Sequence, residues 1–490
     1  MTGTASHRVV VLGAGMSGIC IGIKLKEAGI DDFAILEKCD AVGGTWRDNT
    51  YPGVACDVPS HVYSYSFELN PNWRHAYSDG AEIQRYCEAC VDKYGLAPHL
   101  RLGAEAVDVE RREDRWHVTT RAGERYVADV LVSGLGGLHI PNHAAISGKE
   151  RFRGTIFHTA QWNHGCDLAG KRVAIIGTGA SAAQVLPSIA PLVADATVFQ
   201  RHAAWVFPRL AREIPEARRA QFRRFPLLMR AYRSMLWLVM DVMGVLSLRR
   251  GGVLHKMMER ASLSFLERSV ADPQTRRKLT PDYAAGCKRR CIADDYWTTF
   301  NRDNVHLVTD AIVGIEEDGV RDATGKLHAV DVIVEATGFK PFDIAQHVDI
   351  KGRDGLHLRD AFAARVESFR TIMVPGFPNF FMLLGPNSAT GHTSALIMIE
   401  SQASYVVKCL ALMAREQLRD VEPRTEATTA FNRRIQADMQ KMVFSGGCSA
   451  WYTDDDDVNF TLWPYSALRF LAEMHEPRRD EFVVTQLDAA

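Results

Sequence analysis

Two glycine-rich turns, spaced far apart in the chain, constrain the fold more than any other feature of the sequence. Each turn follows a β-branched run and opens an apolar helix, and the small residues have the same spacing: Gly13, Gly15 and Gly18 in the first, and Gly177, Gly179 and Ala182 in the second. In this pattern the first glycine makes a tight turn, the second admits a phosphate to the backbone, and the third packs helix on strand. The sequence therefore predicts two βαβ units, each with a dinucleotide phosphate at a helix N-terminus.

The charge that ends the second strand of each unit differs between the two units. Glu37 lies 24 residues after Gly13, where a carboxylate accepts hydrogen bonds from an unphosphorylated ribose. At the same offset from Gly177 stands Arg201, followed by His202, and a cation there pairs with a 2′-phosphate. The alternative for either residue is a solvated surface charge. The pair of sites predicts a flavoprotein that takes a hydride from NADPH.

Other segments complete the two predicted units. Residues 129–137 and 331–339 are expected to be the strands that return to each glycine turn. The stretch AEAVDVERREDRWHVTT predicts a strand pair inserted in the first unit, with Val107 touching adenine through its backbone. The backbone of the second turn is expected to hold phosphate through Thr178, Gly179, Ala180 and Ser181.

The composition limits the classes of function that this chain can have. A chain of 490 residues predicts two to four domains, and 58 basic against 59 acidic residues give no electrostatic argument for nucleic acid. The ten cysteines are sparse and unpatterned, which favours a reducing compartment and a cytoplasmic location. Glycines interrupt the apolar N-terminal run and a polar helix follows it, so it is not interpreted as a signal peptide.

Two further motifs carry a family resemblance over essentially the whole chain. The first is FxGxxxHxxxW, and the second is GGTWRDNTYPGVACD; their residues are Phe152, Gly154, His158 and Trp162, and Gly43, Gly44, Trp46, Tyr51, Pro52, Gly53 and Asp57. Together they resemble the fingerprints of type I Baeyer–Villiger monooxygenases. Flavin-containing monooxygenases, which oxidise sulfides and amines, have Tyr or Phe at the position of Trp162. Asn163 departs from the pattern, because Pro or Asp normally follows that tryptophan.

The resemblance implies an α/β fold with two Rossmann-like dinucleotide-binding domains, one for FAD and one for NADP, and a helical insertion. It implies that NADPH and O2 are used to insert one oxygen atom next to the carbonyl of a small-molecule ketone, giving an ester or lactone through a peroxyflavin. The expected boundaries are 1–150 and 366–490 for the FAD domain, 151–208 and 286–365 for the NADP domain, and 209–285 for the insertion on the substrate side.

The resemblance also assigns site residues. Arg289 is the implied catalytic residue, oriented by Asp57, while Lys288 helps Arg201 to hold the NADP phosphate. His158, in the joint between the domains, is implied to couple domain movement to the state of the cofactor. The residues expected beside the cofactors are Gly44, Thr45, Trp46, Asp57 and Tyr63 at the flavin and Trp451 at the nicotinamide ribose. Residues 454–457 are interpreted as a solvated acidic turn.

Several alternatives remain open from the sequence. Oxidation of sulfides or amines is the serious rival activity. A disulfide reductase would need a redox pair beside the flavin, and Cys87 with Cys90 lies on an amphipathic helix instead; no metal site is expected. A non-enzymatic flavin sensor is a third alternative. The apolar segment 227–248 is interpreted either as part of a buried helix pair or as a lid on a hydrophobic tunnel, with membrane contact possible but not favoured.

Overall fold

The computed structural model describes residues 4–341, 348–445, 447, 451–454, 456 and 458–487. The strands are β1 Ala5–Leu12, β2 Phe33–Leu36, β3 Leu100–Arg101, β4 Ala106–Arg112, β5 Arg115–Thr120, β6 Arg125–Ser133, β7 Thr155–His158, β8 Arg172–Ile176, β9 Asp195–Phe199, β10 Val206–Phe207, β11 Cys291–Ile292, β12 Val305–Val308, β13 Ile312–Glu316, β14 Gly319–Asp322, β15 Leu327–Ala329, β16 Val332–Glu335, β17 Asp349–Lys351, β18 Phe380–Met382, β19 Leu418–Pro423 and β20 Phe482–Gln486.

The helices lie between these strands and in one long insertion. They are α1 Met16–Glu27, α2 Thr45–Asp48, α3 Gly80–Lys93, α4 Ala180–Ile189, α5 Glu216–Arg224, α6 Pro226–Ser247, α7 Val253–Ser269, α8 Pro273–Lys278, α9 Tyr296–Thr299, α10 Leu358–Ala361, α11 Ala395–Glu416, α12 Thr425–Met439 and α13 Ala467–Glu473.

Each glycine turn sits at the carboxyl end of a central parallel strand. In the first unit β1 pairs in parallel with β2 on one side and β6 on the other, within the order β17-β4-β5-β6-β1-β2-β3, and β18 also pairs with β6. In the second unit β8 lies between β9 and β16 in a parallel sheet of order β12-β9-β8-β16-β7. The central strands end in apolar residues because both faces of each sheet are buried. Helices α1 and α11 in the first unit and α4 in the second pack on one face, and the strands β4 and β5 or β13 and β14 pack on the other. The predicted α/β fold with two dinucleotide-binding units is confirmed.

The return strands begin and end differently from the prediction. β6 starts at Arg125 and stops at Ser133, so residues 134–137 already belong to a loop, and β16 occupies only Val332–Glu335 of the expected 331–339. The predicted strand pair forms as β4 and β5, joined to the main sheet through β6 rather than standing apart from it. Val107 lies at a β-bulge, where the register between β4 and β5 shifts.

The chain re-enters the first unit earlier than expected. β17 pairs in parallel with β4, so the segment from Asp349 onward already extends the sheet of the first unit. The expected boundary at 365–366 is therefore too late. A three-residue strand at the edge of a sheet carries little periodicity of its own, and tertiary pairing decides where it belongs.

The insertion contains the helices α5 to α8, and its longest helix is not buried. The inward face of α6 packs on the first unit, whereas its outward face carries large apolar side chains that are exposed. The interpretation of 227–248 as part of a buried helix pair is wrong. By length and composition α11 is apolar enough to cross a membrane, but its most apolar window is 72% buried inside the protein, as for a core helix.

Gly154 marks a close approach between the joint and the second sheet. A methyl group at this position would lie 2.2 Å from the carbonyl oxygen of Asp331. Gly154→Ala should therefore force the backbone apart and lower the free energy of unfolding by about 1–3 kcal/mol, measured by denaturant unfolding. Gly314→Ala is the matched control, because its methyl group would have ordinary contacts of 3.6 Å. Equal stability of the two variants would contradict the close approach.

Candidate active site

The first glycine turn is shaped for a bound phosphate. Gly13 has a φ of +91°, which a residue with a side chain adopts only under strain, and a methyl group on Gly18 would lie 1.9 Å from the Gly13 carbonyl oxygen. Gly15 faces Gly44, whose added methyl group would lie 3.1 Å from the Gly15 Cα. Two backbone segments without side chains thus border the N-terminus of α1, a cradle that fits the pyrophosphate of FAD.

Glu37 lies at the end of β2, beside this cradle. It is only 4% exposed, and its carboxylate accepts hydrogen bonds from the backbone N–H of Ala14 at 2.8 Å and from that of Cys39 at 3.0 Å. Arg47 Nη1 donates to the same carboxylate at 3.0 Å. A buried carboxylate at this point suits the ribose of an unphosphorylated dinucleotide half.

The second glycine turn differs in the charge that surrounds it. A methyl group on Gly177 would lie 2.4 Å from the Ala336 carbonyl oxygen, whereas one on Gly179 would meet open space. Thr178 Oγ1 donates to the carbonyl oxygen of His202 at 2.8 Å, which links the turn to the residues after β9. The backbone at Gly179 is therefore accessible to a ligand at the N-terminus of α4.

Three basic side chains converge beside this turn. Burial lowers the pKa of His202, and the charges of Lys288 and Arg201 lower it further. Burial and the charge of Arg201 likewise lower the pKa of Lys288. Asp282 is the only carboxylate that opposes these shifts among the described residues. This cluster has more positive than negative charge, and it fits the 2′-phosphate of NADP.

Asp57 and Arg289 form an ion pair between a loop of the first unit and the segment that follows the insertion. Arg289 Nη2 lies 2.5 Å from Asp57 Oδ2, and Nε donates to the same oxygen at 3.1 Å. The charge of Asp57 raises the pKa of Arg289, so the guanidinium remains charged at any physiological pH. About two fifths of the Arg289 side chain is exposed (41%), which leaves donors free for a ligand.

Arg290, one position along, points elsewhere. Its Nη2 donates to the carbonyl oxygen of Gly391 at 3.0 Å, and its guanidinium lies 5.9 Å from the ring centroid of Phe207. Its Nη1 contacts Met258 Sδ at 2.8 Å. Burial lowers its pKa to about 10. The geometry thus brings Arg289, and not Arg290, together with Asp57.

The joint between the two units holds a neutral, buried histidine. His158 ends β7 and is 1% exposed, and its Nδ1 accepts a hydrogen bond from the Ala160 N–H at 3.1 Å. Burial, with the nearby His143, lowers the pKa of His158 to about 4. Nearby, Phe157 and Trp162 pack edge to face at 5.0 Å. The fold therefore holds the imidazole of His158 neutral in the joint.

The contacts that fasten the two units together could not be identified from the sequence. Gln184 on α4 accepts a hydrogen bond from Tyr51 OH at 2.9 Å and donates to the Ala55 carbonyl at 2.9 Å. A methyl group on Gly53 would lie 2.3 Å from Ser188 Oγ of the same helix. The one sequence feature that could have indicated this contact is Gly53 in TYPGVACD, because a glycine can mark a close approach of two backbone segments. Nothing local in α4 identifies its partner.

A second missed residue lies in the joint. Glu335 ends β16 at 1% exposure and contacts Lys149 Nζ at 2.6 Å and His143 Nδ1 at 2.7 Å. Its β16 register places it directly opposite His158. An acidic residue that ends an apolar strand, as Glu37 also does, was the available signal.

The aromatic residues assigned to the cofactors occupy two places. Trp46 Nε1 donates to Tyr63 OH at 2.9 Å, so the two predicted flavin neighbours are in contact near the first turn. Trp451 packs on Tyr452. Burial raises the pKa of Tyr452, and the charges of Arg289 and Arg290 lower it. Trp451 is therefore next to a residue of the cation site. Of residues 454–457, Asp455 and Asp457 lie outside the described residues, and Asp454 accepts the Asp456 and Val458 N–H groups in a turn.

The cysteines argue against a disulfide reductase. Cys87 and Cys90 are free and buried on α3, and burial raises the pKa of both thiols, that of Cys90 to about 12. A redox-active thiol needs a lowered pKa.

Comparisons with known proteins agree with this geometry. Residues 10–210 match the family model described as pyridine nucleotide-disulphide oxidoreductase. A Baeyer–Villiger monooxygenase of Pseudomonas aeruginosa is 40% identical over 469 residues, which cover 95% of this chain and 89% of that protein.

The chain belongs to the Baeyer–Villiger monooxygenases.

Solved structures of such flavoenzymes have the same fold. A closed crystal structure of cyclohexanone monooxygenase superposes with a TM-score of 0.88 at 27% identity, covering 99% of this chain and 100% of that one. An oxidised steroid monooxygenase bound to NADP gives a TM-score of 0.88 at 27% identity over 98% and 100% of the two chains. This monooxygenase is thus an FAD- and NADPH-dependent enzyme. The comparisons favour ketone oxidation over the heteroatom oxygenation that the sequence left open.

The neutral His158 of this Baeyer–Villiger monooxygenase predicts a pH dependence of stability. Its folded pKa of about 4 lies below the unfolded value of about 6.5, so the unfolded chain binds the proton first as the pH falls. The free energy of unfolding should be unaffected by His158 above pH ~6.5 and should lose roughly 3 kcal/mol between pH ~6.5 and ~4.

His158→Asn should weaken this pH dependence while keeping an acceptor for the Ala160 N–H. Denaturant unfolding of both proteins between pH 4 and 8 measures the difference. The pKa of His61 is also lowered to about 4, but His61 is present in both proteins, so its contribution cancels. Identical pH profiles would show that His158 is not held neutral by the fold.

Proposed function

We propose that this enzyme oxidises a small, hydrophobic ketone to an ester or lactone, with Arg289 as the catalytic residue and Asp57 as the residue that positions it. The observation that carries the proposal is the Asp57–Arg289 ion pair, formed where a loop of the FAD unit meets the segment after the insertion. A ketone substrate is supported by the similarity of the fold to that of cyclohexanone monooxygenase, whose name specifies a ketone.

The chemistry needs a fixed cation. Bound FAD, reduced by NADPH, supplies the activation of O2, and oxygen insertion beside a carbonyl develops negative charge on oxygen in the transition state. A preorganised guanidinium stabilises that charge more than it stabilises the neutral ketone. Asp57 holds the Arg289 guanidinium through Nε and Nη2, so the remaining N–H donors keep a fixed direction.

The surroundings of the pair support a hydrophobic substrate. Arg290, the neighbour of Arg289, packs against Met258 of α7 and the Phe207 ring of β10. Helix α7 of the insertion therefore approaches the cation site with an apolar side chain. An apolar pocket with a few polar groups is the usual form of a site for a small hydrophobic molecule.

Removing the Arg289 guanidinium should strongly slow oxygen insertion. Arg289→Ala should still bind FAD and consume NADPH, but form ester about 100- to 1000-fold more slowly and release hydrogen peroxide instead. NADPH consumption, peroxide and ester are measured side by side with a panel of cyclic ketones.

Arg290→Met is the matched control for this experiment. It removes a neighbouring guanidinium that does not contact Asp57 and replaces it with an apolar side chain suited to a buried position, so ester formation should continue. Loss of ester in Arg290→Met with survival in Arg289→Ala would transfer the catalytic role to Arg290. Ester formation that survives in both variants would contradict the proposal.

Arg201 is expected to set the choice of coenzyme. In Arg201→Ala the preference of kcat/KM for NADPH over NADH should fall about tenfold or more, because a charge-assisted contact to the 2′-phosphate is lost. Arg302→Ala is the matched control, since Arg302 is exposed before β12, at the amino end of the strand that pairs with β9, whereas Arg201 follows the carboxyl end of β9. An unchanged NADPH preference in Arg201→Ala would contradict the assignment.

A further inference from the structure

The helix α6 has two apolar faces, and only one of them is covered. Its inward face is anchored to the first unit: Arg233 Nη2 donates to the Ser64 carbonyl oxygen at 3.2 Å, and Asp241 Oδ1 lies 2.9 Å from His392 Nε2. Arg233 and Asp241 are buried, so these contacts fix the rotation of the helix about its axis. The side chains on the opposite face of the helix therefore point outward.

The outward face is a continuous apolar surface. Its exposed side chains include Leu227, Met235, Leu238, Val239, Val242 and Leu246, and their exposure ranges from 44% for Leu246 to 76% for Leu227. Single exposed apolar residues are ordinary, but the solvent face of a surface helix is normally polar. A row of this length, on a helix of about 33 Å, indicates a surface that is covered by a partner.

Positive charge borders the apolar face at both ends. Residues 216–260 contain ten Lys and Arg against three Asp and Glu, in a chain whose net charge is −1. The three acids already have partners: Glu216 pairs with Arg219, Asp241 with His392, and Glu259 with His255. The exposed basic residues for which the described part of the chain offers no ion-pair partner are Arg218, Arg224, Arg230, Arg249, Arg250, Lys256 and Arg260.

This combination of charge and apolar surface selects one class of partner. We propose that the outward face of α6 binds the surface of a bilayer that contains anionic phospholipid. The helix lies in the plane of the interface, with its leucine, valine and methionine side chains among the acyl chains and the basic ends at the phosphates. It does not span the bilayer, because its opposite face is fixed to the protein through charged residues.

A second copy of the chain fits the same face less well. Two-fold symmetry places a surface against itself, so the basic ends of one α6 would meet those of the other. Since both ends of the helix are basic, either orientation brings like charges together. An anionic lipid surface instead complements every one of these charges. The proposal goes beyond the proposed function and does not depend on it.

The test uses the FAD-loaded enzyme in sedimentation with vesicles. Vesicles of 30% phosphatidylglycerol in phosphatidylcholine should bind the enzyme, and vesicles of pure phosphatidylcholine should bind it at least tenfold more weakly. Leu238→Gln with Val242→Gln should weaken binding about tenfold or more. Arg249→Glu with Arg250→Glu should do the same, because each basic residue at an anionic surface contributes about fivefold.

Matched controls carry the same changes elsewhere on the surface. Leu192→Gln with Val313→Gln alters two similarly exposed apolar residues, and Arg125→Glu with Lys326→Glu alters two exposed basic residues outside the insertion. Both controls should bind as the unaltered enzyme does. The flavin absorbance of each variant reports that it is folded.

Three results would overturn the proposal. The first is an unaltered enzyme that binds neither kind of vesicle, or both equally. The second is α6 variants that bind as well as their controls. The third is a dimer, seen by light scattering, that dissociates in Leu238→Gln with Val242→Gln while vesicles remain unbound. That result would assign the face to a second copy.

Discussion

The ion pair between Asp57 and Arg289 is the interaction on which the proposed chemistry depends. Its two members are 232 positions apart in the chain, and each belongs to a different unit. The pair forms only when the loop after α2 and the segment after the insertion have both been positioned. A guanidinium that is partly exposed yet held by two hydrogen bonds is preorganised, and it loses little freedom when it meets developing charge.

The packing between the units explains why this pair forms. Gln184 of α4 binds the TYPGVACD segment of the first unit, and Gly53 in that segment has no room for a side chain against Ser188. The Asp57 loop is therefore attached to the helix that begins at the second glycine turn. The contact with Ala55 thus lies two residues from Asp57, on the same loop. His158 and Glu335 lie at a second such junction, opposite each other on neighbouring strands.

The sequence was sufficient for features that depend on local steric or electrostatic requirements. Both glycine turns, the opposite charges at Glu37 and Arg201, and the alternating and apolar runs of the central strands could be predicted, because each follows from the residue itself. The pairing of Asp57 with Arg289 came from family resemblance, since no local rule separates Arg289 from Arg290. The edge strand β17 and the exposed face of α6 were not predictable. The three residues of β17 are too few to show a strand periodicity. An apolar helix such as α6 has the same composition whether it is buried or exposed.

The most direct test of the central claim is a double-mutant cycle on the ion pair. The rate of ester formation is measured for Asp57→Ala, for Arg289→Ala and for the double variant, with a ketone that the unaltered enzyme oxidises. If the carboxylate acts by holding the guanidinium, the double variant should be no slower than Arg289→Ala alone. If the two losses multiply, Asp57 and Arg289 act independently, and the account of one preorganised pair is contradicted.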